Sequence, residues 1–247
     1  MNLGPQQINS VNPNWRPRLQ PPSPDAIVFD MDGVLADVRG SYRVCVIRTA
    51  DVFGCRLTNQ MISKAKERGN ATNDWELTRD LLAAEGIRVE LEKVTDVFQE
   101  FYLGYDNYPG LRLKERLLIK PDLLSKLAER YPLAIVTGRP RDEATWFLRR
   151  FRIDHFFKCL IGLDDARVKP DPDGIQKAIQ ELGVAEAWMI GDTPDDLIAA
   201  RGANAVPLGI APSGEEAMQL ALVSAGACIV LTDVNELESI LLERFPS

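Results

Sequence analysis

Histidine is almost missing from this 247-residue chain, with His155 standing alone. A zinc site built from several imidazoles is therefore excluded. Any Ser-His-Asp or Cys-His arrangement would have to be built around that one residue. It lies in Arg152-Ile153-Asp154-His155-Phe156-Phe157, which reads as the end of an amphipathic helix, so a structural or surface histidine is expected. Cysteine is scarce too. Cys45, Cys55, Cys159 and Cys228 form no C-x-x-C pair and have no small-secreted-domain context, so free thiols in a reducing cytoplasm are expected. No apolar stretch approaches the ~20 residues of a membrane helix. No targeting segment is visible, and a cytoplasmic location without membrane contact is the expectation. An excess of positive charge is lacking as well: 29 Lys and Arg stand against 36 Asp and Glu, a net charge of −7. A surface of that sign does not attract the backbone of DNA or RNA.

What is present is ordinary for a globular protein: 45% hydrophobic and 26% charged residues. Collagen-like, fully disordered and coiled-coil readings drop out. The length fits one large domain, or a core with a smaller companion. Residues 1–24 hold Pro5, Pro13, Pro17, Pro21, Pro22 and Pro24 among several Asn and Gln. Such a segment cannot bury enough surface to offset its ordering entropy, and reads as a disordered tail. Its stretch Arg18–Pro24 also has the spacing of a polyproline II ligand, though a plain Pro-rich leader explains it as well.

From residue 25 onward two kinds of sequence alternate. Short apolar runs (26–29, 133–136, 159–163, 187–190, 205–208 and 228–231) suit strands buried on both faces of a parallel sheet. Between them, residues 121–130, 142–151, 173–182, 194–201, 214–225 and 234–243 follow a helical rhythm. Alternation of this kind implies right-handed βαβ crossovers. The expected fold class is α/β, a Rossmann-like open parallel sheet formed by 25–36 and 118–247. The interval 37–117 has no convincing buried strand. Residues 41–53, 58–68, 74–85 and 90–103 read as amphipathic helices, with Gly54, Gly69, Gly86 and Gly104 at or just past their ends. This interval is expected to form a second, all-helical module.

Chemistry-bearing residues collect where the strands should end, which is where ligands sit in such sheets. The first strand runs into Asp30-Met31-Asp32-Gly33. Like charges ~4 Å apart cost each other about 4 kcal/mol at an effective dielectric near 20, so a cation or a shared proton is needed there. Thr137-Gly138-Arg139 follows the next core strand and offers a hydroxyl and backbone N–H groups suited to a phosphoryl oxygen. Lys169-Pro170 supplies a point charge. Gly191-Asp192-Thr193-Pro194-Asp195-Asp196 again puts carboxylates at a strand end. Each of these pieces alone is commonly a turn or a solvated face.

In this order the four pieces resemble the signature of the haloacid dehalogenase superfamily, over residues 26 to about 240. The resemblance implies roles position by position. Asp30 would be the nucleophile and Asp32 the general acid/base. Thr137, with Gly138 beside it, would bind phosphate, and Lys169 would stabilise charge. Asp192 would bind metal, with Asp196 the second acid of the G-D-x-x-x-D pattern. The helical interval would be the α-helical cap of the phosphoglycolate phosphatase and β-phosphoglucomutase-like branch. The implied cofactor is Mg²⁺, held by Asp30, Asp192 and the Asp32 carbonyl with Asp196 behind them. The implied activity is hydrolysis of a small phosphorylated metabolite through an aspartyl-phosphate.

Departures from the family pattern separate its branches. Asp32 argues against dehalogenation, because family dehalogenases lack an acid there. Mutase relatives carry a histidine twelve residues after the nucleophile, and this chain has Tyr42 there, which disfavours sugar-phosphate mutation. Lys169 follows Val168, where many relatives have Gly. In the cap, Lys66, Arg68, Asn70 and Trp75 are candidate contacts for the leaving group, as is Arg139 in the core. A basic helix end followed by an Asn cap explains the cap residues equally well. A non-catalytic regulatory module on the same fold is the reading from a different class; the complete motif set weighs against it. The sequence names neither the leaving group nor the oligomeric state.

Overall fold

The computed structural model describes residues 21–243. Four buried apolar residues form strand β1 (Ala26–Phe29). The other core strands are β4 (Leu133–Val136), β5 (Phe157–Ile161), β6 (Ala187–Gly191), β7 (Val206–Ile210) and β8 (Ile229–Leu231). Two short strands, β2 (Ala36–Asp37) and β3 (Arg116–Leu117), lie apart from them. The helices are α1 (Tyr42–Val52), α2 (Asn59–Arg68), α3 (Asp74–Ala84), α4 (Leu91–Leu103), α5 (Pro121–Arg130), α6 (Arg141–Arg150), α7 (Asp173–Leu182), α8 (Pro194–Gly202) and α9 (Glu216–Ala225).

The sheet order is β5-β4-β1-β6-β7-β8, with every neighbouring pair parallel. Near-continuous hydrophobicity suits these strands because both faces are covered. Side chains alternate between the faces. Ile27, Phe29, Ile135, Trp188 and Ile190 join the core that includes Leu124 of α5 and Phe147 of α6. Val28, Ala134, Val136 and Met189 face Ile175 of α7 and Ala199 of α8. Helix α5 starts with Pro121 at its first position and Asp122 in its first turn. It buries Leu123, Leu124 and Leu127, each stabilising by about 1.5–3 kcal/mol.

The chain winds from β1 out through β4 to β5, then returns to β6 and continues to β8. The winding direction therefore reverses around β1, the place where an open α/β sheet forms a crevice at its carboxyl edge. Asp30, Thr137 and Asp192 are the residues that follow β1, β4 and β6. Helices α1–α4 lie between β1 and β4 in the chain. They are joined to the core through the antiparallel pair β2–β3, in which Ala36 opposes Leu117 and Asp37 opposes Arg116.

Several boundaries differ from the sequence reading. Strand β5 ends at Ile161, two residues before the expected Leu163, because Asp165 accepts from the Gly162 amide (2.8 Å) and closes a turn there. The expected helix 234–243 breaks into a 3₁₀ turn (Val234–Glu236) and a π turn (Ser239–Glu243). Its Asn235 side chain is spent on the Leu118 carbonyl (3.0 Å) and the Lys120 amide (2.8 Å), which holds the start of the segment to the core. His155 is exposed in a 3₁₀ turn (Asp154–Phe156). Of the expected tail 1–24, residues 1–20 lie outside the described residues, and so do Arg18, Leu19 and Gln20 of the polyproline-like stretch. Pro21 and Pro24 are buried, and the Pro22 carbonyl accepts from Trp188 Nε1 (3.0 Å). Pro21, Pro22 and Pro24, expected in the tail, therefore pack on the core. Cys45, Cys55 and Cys159 are buried, unbridged thiols. Among the described residues no helix is long and apolar enough to cross a membrane.

Candidate active site

One cavity at the strand ends collects residues far apart in sequence. It is lined by Asp30, Asp32, Thr137, Gly138, Lys169, Asp192 and Asp196 from the core, with Lys66, Ala71 and Thr72 from the cap side. Lys169 is its electrostatic centre. Its buried ammonium donates to Asp30 Oδ1 (2.6 Å), Asp196 Oδ1 (2.5 Å) and the Val136 carbonyl (3.1 Å), so all three of its protons are used. Burial pulls the ammonium toward neutrality, but Asp196 and Asp30 more than offset this and hold it charged. Asp30 is pushed up to about 7 by burial, against the pull of Lys169. Burial, then repulsion from Asp30 and Asp196, raises Asp192 far above the usual carboxylate range.

Such a cluster lacks positive charge. Asp30, Asp192 and Asp196 each offer an oxygen within 4.8 Å of the others, a set of hard donors that fits a divalent cation. Asp196 is already committed: Oδ1 takes Lys169, and Oδ2 takes the Thr193 amide (3.0 Å) and hydroxyl (2.7 Å) at the first turn of α8. That leaves Asp30 and Asp192 with the freer oxygens, and Asp196 in a supporting place. Gly33 is what lets Asp192 approach. Its φ is +74°, and a Cβ there would sit 1.9 Å from Asp192 Oδ2.

Thr137 accepts the Arg139 amide on Oγ1 (3.2 Å), leaving its own hydroxyl proton to donate into the cavity. Gly138 does more than bare its N–H, because a Cβ on it would lie 2.6 Å from the Thr72 carbonyl. The cap loop rests directly on it. Arg139, read from sequence as a contact for the leaving group, is instead 1% exposed and turned inward. Its Nε donates to Asp32 Oδ1 at 2.5 Å.

Of the cap candidates, Lys66 alone lines the cavity, and it arrives paired with buried Asp74 (3.2 Å). Arg68 is exposed at the end of α2. Trp75 packs its ring against the hydrophobic core and gives its amide to the Asn73 cap (3.0 Å). Asn70 turns at φ +57° and offers its backbone amide, not its side chain, to Asp195 (2.8 Å). Asp195 was missed by sequence reasoning. It is buried, and it also accepts from the Ala71 amide (3.0 Å) and Thr72 hydroxyl (3.1 Å), binding the cap loop to the core. The acidic doublet Asp195-Asp196 was its only signal in the sequence.

Residues 27–210 match the pattern of the haloacid dehalogenase-like hydrolase family. The chain belongs to that family. A hydrolase of Pseudomonas syringae shares the fold at 23% identity, with a TM-score of 0.71 over 90% of this chain and 100% of that one. The phosphoglycolate phosphatase of Colwellia psychrerythraea is 28% identical over 200 residues, 75% of this chain and 84% of its own. A Phytophthora nicotianae protein named imidazoleglycerol-phosphate dehydratase is 43% identical over 194 residues, 75% of this chain. The chain spans 43% of the length of that protein. As a haloacid dehalogenase-like hydrolase with a relative named a phosphatase, this protein is an enzyme.

Proposed function

We propose that the protein hydrolyses a small phosphomonoester with Mg²⁺, using Asp30 as nucleophile. The observation that carries this reading is the Lys169 ammonium held between Asp30 and Asp196, with Asp32, Thr137 and Asp192 around the same cavity. Asp30 and Asp192 would hold the metal, whose charge lets an anionic phosphoryl group approach an anionic nucleophile. Asp30 attacks phosphorus and the ester oxygen departs, taking a proton from Asp32. Water then attacks the aspartyl-phosphate at phosphorus, giving its proton to Asp32 and restoring the Asp30 carboxylate. Thr137 Oγ and Lys169 Nζ stabilise the equatorial oxygens. The enclosed space is about 20 Å³, room for a water or two, so a substrate enters only when the cap swings open.

The reading is tested with an aryl phosphate. Asp30→Asn is expected to abolish Mg²⁺-dependent phosphate release, and equal activity in the variant would sink the assignment. Tyr42 supports hydrolysis over mutation: its hydroxyl donates to Glu143 and its ring lies under Arg139, so no imidazole stands ready to relay a proton. The likeness to phosphoglycolate phosphatase supports phosphoglycolate as a first substrate to test. The stretch shared with a protein named for imidazoleglycerol phosphate supports adding imidazole-bearing phosphomonoesters to the same panel. A folded wild type that releases phosphate from none of these with Mg²⁺ present would favour a non-catalytic role.

A further inference from the structure

Among the described residues Arg139 is the largest fully buried charged side chain, held by aromatic rings and a few polar partners. Its guanidinium carbon lies 4.7 Å from the Tyr42 ring centroid and 5.4 Å from that of Phe147. Nε donates to Asp32 Oδ1 (2.5 Å), while Nη1 donates to Glu115 Oε2 (3.0 Å) and the Tyr102 hydroxyl (3.2 Å). Glu115 continues the chain by accepting from Ser41 Oγ (2.8 Å). Ser41 and Glu115 flank the two connections between core and cap, on either side of the pair Asp37–Arg116. Tyr42 and Tyr102 stand on cap helices, and Tyr42 is fixed in turn by Glu143, which Gln99 also holds (2.7 Å).

We infer that Arg139 is a positioning residue that aims Asp32 at the leaving-group oxygen, and that it holds this aim only while the cap residues Tyr42, Tyr102 and Glu115 are packed around it. The inference rests on the proposed acid/base role of Asp32. With Oδ1 tied to Arg139, one oxygen of Asp32 stays available to the cavity that the residue lines. A rigid planar donor fixes that carboxyl in a way a lysine does not, because a single ammonium does not reproduce the fork between Asp32 and Glu115. Opening the cap withdraws Tyr42 and Tyr102 from the guanidinium, so proton delivery is coupled to closure.

Leaving-group chemistry tests this. An alkoxide needs the proton from Asp32, whereas a nitrophenolate departs without it. The quantity to measure is kcat/KM, which reports only the steps up to departure of the leaving group. Arg139→Met is expected to lower kcat/KM for an alkyl phosphate by about 10²-fold or more, and for p-nitrophenyl phosphate by less than about 5-fold. Asp32→Ala should show the same selectivity, and Tyr102→Phe, at a residue that does not line the cavity, a weaker form of it. Tyr102→Phe carries the test if Arg139→Met does not fold. Equal loss on both substrates in the Arg139 and Tyr102 variants, with Asp32→Ala selective, would overturn the inference. Equal loss in Asp32→Ala itself would overturn the acid role of Asp32, and the inference with it, while leaving Asp30 as nucleophile.

Discussion

One core carboxylate holds the cap loop 70–72 over the cavity. Asp195 takes three donors from the loop 70–72, at 2.8, 3.0 and 3.1 Å. In Asp195→Asn the amide oxygen can replace Oδ2, which takes Ala71 and Thr72, but the NH₂ group then meets the Asn70 amide, so one of the three contacts is lost and the other two no longer go to a charged acceptor. Hydrogen bonds to charged groups contribute about 1.5–3 kcal/mol each, and Asp195 is 1% exposed, so solvent screens little of this. Closure should weaken by about 1.5–3 kcal/mol, or about 10- to 10²-fold in the closed-to-open ratio. Because reaction requires the closed form, kcat/KM should fall by about 10- to 10²-fold. Thr72→Val, which removes only the hydroxyl donor, should cost about 10-fold or less.

Hydrogen exchange gives an independent reading. The Asn70 and Ala71 amides are the donors to Asp195, so their protection should drop by the same factor as kcat/KM. Amides of the β1 and β6 strands should keep theirs, since these pair within the core. Unchanged exchange at residues 70 and 71, or kcat/KM within about 3-fold of wild type in a folded variant, would refute the argument.

Two further outcomes follow from the same geometry. Gly138→Ala places a Cβ 2.6 Å from the Thr72 carbonyl, so it should push the cap loop away. It should reproduce the Asp195→Asn loss in kcat/KM with little further loss in the double variant, as steady-state kinetics on the three proteins would show. For the metal, Asp30 sits near 7 in the fold against 3.8 for an ordinary aspartate. Between these values the folded protein holds the proton more tightly than the unfolded chain, so without metal stability falls as pH rises from 3.8 toward 7. A cation takes the place of that proton, so Mg²⁺ should raise the Tm more near pH 7 than near pH 5. Asp30→Asn should flatten the difference in a thermal-shift series.

The sheet was legible because its signal is local. Uninterrupted apolar runs such as Ala26–Phe29 and Leu133–Val136 have one good use, burial on both faces. The core residues of the site were legible for a related reason: each lies just past a strand, in a loop or in the first turn of α8, so sequence order already gave their placement. What long-range packing decides was not legible. Arg139 follows Thr137 and Gly138 and looked like part of the same phosphate loop. Only the approach of Glu115, Tyr102 and Tyr42, all from within the cap insertion, turns it inward. Asp195 reads as an acid at a helix N-terminus, favourable there through the helix dipole. Nothing near it in sequence announces the loop 70–72. The break in 234–243 has the same origin, since Asn235 answers to Leu118 and Lys120 rather than to its own helix.

Charge accounting around the cavity supports the proposed divalent cation even with the cap in place. Lys66 enters from the cap, but its partner Asp74 is buried with it, so closure delivers a neutral pair and not a free cation. Arg139 is likewise shared between Asp32 and Glu115. Lys169 remains, already divided between Asp30 and Asp196. Asp192 has no ion-pair partner among the described residues, yet its oxygen lies within 4.8 Å of oxygens of Asp30 and Asp196. A phosphomonoester entering this space adds negative charge where burial already penalises it most. The deficit is therefore local, at Asp192 and Asp30, where a divalent cation has both ligands and reason to bind. Lys66 is left as part of the cavity wall on the cap side.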